Sequence, residues 1–230
     1  MDVDVVRKDV KNLHLGVYPP NGRVRVAAPE SLSDEAIRLA VVGKLAWIRR
    51  QRARFAAQER QSRRQMVTGE SHYVLGRRCR LTVLEDDGRP RVEPIGRTRI
   101  ELHVPPGYEA DQRAAVLDRW YRRQLREIAS GYLASWEDRL GVRTAAVGVK
   151  RMKTKWGSCN PANGRLWLNS ELAKKPVSCI EYIVVHELVH LIEPSHGDQF
   201  TVLMDKFLPD WSARQAELNA APLAHEDWTY

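Results

Sequence analysis

The chain has 230 residues, 43% hydrophobic and 29% charged, an ordinary composition for a folded protein of one large domain or two small ones sharing a core. A net charge of +8 and a pI near 9.6 favour acidic partners such as nucleic acid and carry no information on fold. Cys79, Cys159 and Cys179 form no CxxC pair, which argues against a disulfide framework. No run of about 18 apolar residues is present, which excludes a transmembrane helix, and MDVDVVRKDVKN lacks the apolar core of a signal peptide, so a cytoplasmic location is expected.

Residues 13–28 predict a β-hairpin, with PPNG as the turn and alternation at Val24, Arg25 and Val26. Ser33 is placed as an N-cap, with Asp34 and Glu35 in the first turn and Ile37, Val41, Leu45 and Ile48 at helical spacing. This helix, or helix pair, is expected to run to about Arg64. Its second half carries Lys44, Arg49, Arg50, Arg52, Arg54, Arg60, Arg63 and Arg64 against Glu59. Such a face is most simply a solvated surface, and a nucleic-acid or acidic-ligand face is the alternative. Residues 73–104 alternate again, and EDDGRP predicts a hairpin turn. A long helix from about Glu109 to Leu140 follows, stopped by Gly141. Strands are expected near 144–151 and 165–169 with NPANGR as a turn, then helices at about 178–192 and 197–206 and a tail.

This order makes an α+β protein, with a β-rich N-terminal half interrupted by a helical insertion. Pro105-Pro106-Gly107 is the expected boundary between a region 1–107 and a region 108–230, unless the two share a core.

The segment VVHELVHLIEPSHGDQF (184–200) holds the chemistry. Ser178 and Glu181 predict a capping box for its helix, and Pro194 a stop. The surrounding residues are apolar nearly all round, as in a buried helix. His186 and His190 are four apart, hence on one face, and two imidazoles at that spacing can share a zinc ion at about 2.0–2.1 Å. Glu187 projects about 100° away, where a carboxylate can reach a water without being a ligand. A catalytic zinc needs a third protein ligand. His196, just past the Pro194 turn, is the first choice, with Glu193 and Asp198 as alternatives.

HELVHLIEPSHGDQF, together with RMKTKWGSCNPANGRLWLNSEL upstream, resembles the YgjP-like group of zincin metallopeptidases, itself similar to the SprT-like and WLM proteases. The shared pattern is a basic stretch (Arg151 to Lys155), Trp156-Gly157-Ser158-Cys159, Asn169, the HELVHL helix, His196 and Phe200. It is dense over about 145–205 and loose in the N-terminal half. Gly197-Asp198 departs from the small residue that many relatives carry. The His186–His196 spacing equals that of metzincins, but Glu193 replaces their glycine.

The resemblance implies a zincin-like C-terminal core, a helix and a small antiparallel sheet carrying HExxH. It implies one zinc per chain on His186, His190 and His196, with Glu187 as general base and acid. The implied activity is zinc-dependent peptide hydrolysis using a zinc-activated water. A DNA-associated protease, or a nucleic-acid-binding protein using the basic helix 44–64, is the alternative. Arg151, Lys153 and Tyr182 are candidates to stabilise the oxyanion. Trp156–Cys159 either line the cleft beside a peptide-pairing edge strand, or more simply pack under the helix with Gly157 in a turn.

Overall fold

The computed structural model describes residues 1–18, 22–57, 64–152 and 155–220. It divides into two compact units, one within residues 1–63 and one within 64–221. The boundary expected at residue 107 falls inside the second unit, where Val104 and Val116 belong to one hydrophobic core.

In the first unit, β1 (Val3–Arg7), β2 (His14–Tyr18) and β3 (Arg23–Ala28) form a sheet in the order β1-β3-β2. β2 and β3 pair antiparallel as the hairpin, whose turn at 19–21 lies outside the described residues, and β1 pairs parallel with β3. α1 (Asp34–Gly43) starts at Ser33, whose hydroxyl accepts the Ala36 N–H at 3.2 Å, and α2 (Leu45–Ala57) follows. Ile37, Val41 and Ile48 bury one helical face against Val24, Val26 and Ala28. The expected continuation to Arg64 falls partly on residues 58–63, outside the described residues.

The second unit opens with β4 (Ser71–Val74), β5 (Arg77–Glu85), β6 (Arg91–Ile95) and β7 (Arg99–Val104), in the order β4-β5-β7-β6. EDDGRP therefore does not close a hairpin: β5 pairs parallel with β7, and β6 pairs antiparallel with β7. Turn residues promise a chain reversal but do not choose the neighbour. β7 takes the central place because Ile100, Leu102 and Val104 are buried, whereas β6 carries Pro94 and exposed charges suited to an edge. Asp86 holds the crossing loop, accepting the Gly88 N–H at 2.8 Å and bonding Arg91 at 3.1 Å and His103 at 2.9 Å.

α3 (Ala110–Leu140) begins at Glu109, whose N–H donates to Gln112 Oε1 at 2.8 Å, and ends at Gly141 in the left-handed region, φ 68°. Its buried stripe includes Leu117, Trp120, Leu125, Leu133 and Trp136. β8 (Ala146–Lys150), β9 (Gly157–Asn160) and β10 (Arg165–Asn169) form a sheet in the order β8-β10-β9. This sheet is mixed, not antiparallel as expected, because β10 pairs antiparallel with β9 and parallel with β8. NPANGR joins β9 to β10; β9 itself, reading Gly-Ser-Cys-Asn, has no alternating pattern to announce it.

A 3-10 turn (Ser170–Lys174) leads into α4 (Val177–Val189), then α5 (Asp198–Phe207) and α6 (Trp211–Ala220), where only a tail was expected. α4 has no capping box. Pro176 occupies the cap position, Ser178 donates to Glu217 at 2.8 Å, and Glu181 accepts from Trp136 Nε1 at 3.0 Å and pairs with Arg214. Both polar side chains thus bind neighbouring helices instead of the helix end. α4 is the buried centre of the unit: Ile180, Val184, Val185, Leu188 and Val189 are inaccessible to solvent. It ends at Val189, before Pro194. Among the described residues no helix is long and apolar enough to cross a membrane.

Candidate metal centre and cleft

α4 places His186 and the cap residue His190 on one face, and the reversal through Pro194 returns His196 to them. The three Nε2 atoms converge: His196 is 3.0 Å from His186 and 3.1 Å from His190. All three donor atoms lie within 4.8 Å of one another. Tetrahedral coordination at about 2.0–2.1 Å separates neighbouring ligand nitrogens by roughly 3.3 Å, so this spacing fits one small cation such as zinc.

The protonation states fit as well. Burial, reinforced by the two other imidazoles, pushes the His186 pKa down to about 3, and burial also lowers His190. Both are therefore neutral near pH 7, as ligation requires. His190 Nδ1 lies 3.1 Å from the Glu193 carbonyl, a bond that directs its proton there and leaves Nε2 free to ligate. Phe200 packs on all three rings, with centroids 4.8–4.9 Å away, and walls off this side of the centre.

The alternative ligands face elsewhere. Glu193 Oε1 accepts from Ser195 N at 2.9 Å and from its hydroxyl at 2.6 Å, bracing the turn, and Asp198 begins α5 in an exposed position. A second group of metal-capable donors, Glu93, Glu101 and His103, lies on β6 and β7. There Arg91 already bonds Glu93 at 2.7 Å and supplies the compensating charge.

Glu187 lies beside the trio and is 5% exposed. Burial raises its pKa to about 7, while Lys155 and the backbone N–H of Cys159, which donates to the carboxylate, oppose the rise. A carboxyl group balanced near neutrality can both take and give a proton. Gly157 makes the close approach of β9 possible: a Cβ there would lie 2.5 Å from Glu187 Oε1. Gly157 is thus in a strand packed on the carboxylate, not in a turn.

These residues border a cleft of about 480 Å³, closed on one side by Trp156–Cys159 and on the other by Tyr182, Gln215 and Leu218. Burial raises the Tyr182 pKa, with a smaller push from Glu187, while a hydrogen bond from Gln215 pulls the other way. Asn169, 2% exposed, ties down the approach to β9. Its amide donates to the Met152 and Lys155 carbonyls, both at 2.8 Å, and its oxygen accepts the Glu171 N–H at 3.2 Å.

Residues 11–221 match the family described as YgjP-like, metallopeptidase domain. The chain belongs to the YgjP-like metallopeptidase family. It is a zinc metallopeptidase of the zincin type, acting on peptide or protein substrates, and it carries a histidine cluster suited to the metal. No curated protein matches it. Among solved structures it is similar to the metallopeptidase zymogen abylysin of Pyrococcus abyssi, at 18% identity over 41% of this chain and 90% of that one, TM-score 0.35. It is also similar to the zymogen jannalysin of Methanocaldococcus jannaschii, at 21% identity over 41% and 86%, TM-score 0.34.

In this YgjP-like chain, His186, Glu187, His190 and His196 are gathered at one place, as their spacing anticipates. The α6 side of the cleft went unseen in the sequence, because Gln215 and Leu218 lie in a segment with no strong apolar period. The packing of Phe200 on the histidines also needed the α4–α5 reversal to appear. Of the other histidines, His72 is buried and bonds Glu70 at 3.1 Å, His103 pairs with Asp86, His14 is exposed, and His225 lies outside the described residues. Burial and Glu187 push the Cys159 thiol up to about 11, which keeps it protonated near pH 7. Cys179 is wholly buried core.

Proposed function

We propose that peptide hydrolysis takes place in the cleft between α4 and β9, with His186, His190 and His196 as the zinc ligands and Glu187 as the general base and acid. The convergence of three Nε2 atoms beside a buried carboxylate carries this reading. A bound zinc supplies Lewis-acid polarisation of the scissile carbonyl and acidifies water. Glu187 removes the proton of the attacking water and delivers it to the leaving amine. The Cys159 N–H and the closeness of Gly157 hold that carboxylate in one orientation. β9, at the edge of its sheet, offers backbone groups to an extended peptide. Trp156 beside it supplies an apolar wall.

The test is metal content by elemental analysis on protein purified without added metal, beside His196→Ala and Glu187→Gln. About one zinc per chain, weakened or lost in His196→Ala, and zinc retained without peptide cleavage in Glu187→Gln, support the assignment. Full hydrolysis by zinc-loaded Glu187→Gln refutes it.

A second reading adds a nucleic-acid partner. Lys44, Arg49, Arg50 and Arg52 are exposed, and none has an ion pair among the described residues. Binding to random duplex DNA that weakens steeply with salt supports this reading, and no binding at low salt removes it. A cytoplasmic location belongs to the same proposal, supported by three free cysteines.

A further inference from the structure

We propose that Tyr182 is a catalytic residue, donating its phenolic hydrogen to the scissile carbonyl oxygen as negative charge develops there. The inference rests on the cleft assignment above and addresses what that assignment leaves open, which protein group shares the oxyanion with the metal.

Tyr182 precedes His186 by four residues on α4, so it occupies the same face one turn earlier. Its ring meets His186 edge-on with centroids 5.8 Å apart, and it lines the same cleft as Glu187. The ring also stacks on Trp211 at 6.5 Å and 16°, which restrains its orientation. A tyrosine hydroxyl has one hydrogen to give and lone pairs to accept. Gln215 Nε2 donates to the Tyr182 oxygen at 3.1 Å. An amide nitrogen has only hydrogens to offer, so this bond takes up the accepting side and leaves the phenolic hydrogen free. No acceptor for it is found among the described residues.

A buried donor with no acceptor is costly and calls for an explanation. Here the unused donor borders the cleft in which an oxyanion would form, held by stacking on one side and by Gln215 on another. Such fixed donors stabilise developing charge without reorganising. The rival donors are less well placed. Arg151 approaches Glu171 at 4.0 Å and does not line the cleft, and Lys153 lies outside the described residues. Lys155 lines the cleft on an exposed, flexible stem.

The experiment compares zinc-loaded wild type, Tyr182→Phe, Gln215→Met, Lys155→Met and Glu187→Gln with a cleavable peptide and with a peptide phosphonamidate, a tetrahedral mimic. For Tyr182→Phe the expected result is a kcat lower by about 100-fold with KM little changed, one zinc per chain, and phosphonamidate affinity weakened in parallel with kcat/KM. Gln215→Met, which removes only the partner that orients the hydroxyl, is expected to lose about tenfold in kcat. A merely structural tyrosine would not weaken the tetrahedral mimic selectively. Wild-type kcat in Tyr182→Phe, or a phosphonamidate penalty that follows Lys155→Met instead, overturns the inference while Glu187→Gln remains inactive. If Glu187→Gln is also fully active, the cleft assignment falls first and takes this inference with it.

Discussion

Gly157→Ala isolates the contact between β9 and Glu187. The added Cβ would lie 2.5 Å from Oε1, 2.7 Å from Cγ and 2.9 Å from Cδ of Glu187, whereas ordinary contact begins at 3.4 Å. Gly157 is not in a left-handed conformation, so alanine is compatible with its backbone and the perturbation is purely steric. α4 is buried on nearly every side and cannot retreat, which leaves the carboxylate, or the β9 edge, to move by about 1 Å. A misplacement of that size typically costs about 100-fold in rate, or about 3 kcal/mol of transition-state stabilisation. Overpacking should also cost about 1–3 kcal/mol of stability. The three imidazoles are untouched, so zinc content should stay at one per chain. Steady-state kinetics on a cleavable peptide, metal analysis and thermal unfolding on the same preparation separate these effects. Folded, zinc-replete Gly157→Ala with wild-type kcat would falsify the view that β9 sets the orientation of Glu187.

His72 should make stability acid-sensitive. Burial first, then the Arg64 charge, lower its pKa to about 4 against Glu70, so between pH 6.5 and 4 the unfolded chain binds the extra proton. Its contribution is complete above pH 6.5 and is lost, up to about 3 kcal/mol, as the pH falls towards 4. Urea unfolding of wild type and His72→Gln across this range should show the difference, and parallel curves would remove it. Ser178→Ala should cost less than about 1 kcal/mol, because Ser178 bonds the exposed Glu217 and caps nothing; a loss of 2 kcal/mol would restore the cap. Leu166→Ala, at a position with no solvent exposure, should cost about 2–5 kcal/mol in chemical denaturation. Asn169→Leu should strip the Met152 and Lys155 carbonyls of their donor and lower both stability and kcat, with zinc retained.

What the amino-acid order determined by itself was local and periodic. The i, i+4 spacing of His186 and His190 puts two imidazoles on one face whatever surrounds them, and the six residues to His196 leave room for one reversal. Ser33 and Gly141 mark helix ends because capping is a property of a few consecutive residues. The apolar wrap of residues 180–192 marks a buried helix for the same reason. Where the sequence reading failed, the deciding interaction spanned many residues. Ser178 and Glu181 look like a capping box until α6 and Trp136 compete for their side chains. EDDGRP looks like a hairpin turn until β7, more apolar than β6, takes the place beside β5. β9 has no pattern of its own and exists as a strand because β10 pairs with it. Its glycine acquires a purpose only when α4 brings Glu187 against it. The gathering of His186, His190 and His196 was therefore legible in the sequence. The groups that line the cleft beside the histidines, Gly157 and Cys159 as well as Tyr182 with Gln215, were assembled only by tertiary packing, because their partners lie roughly 30 residues or more away along the chain.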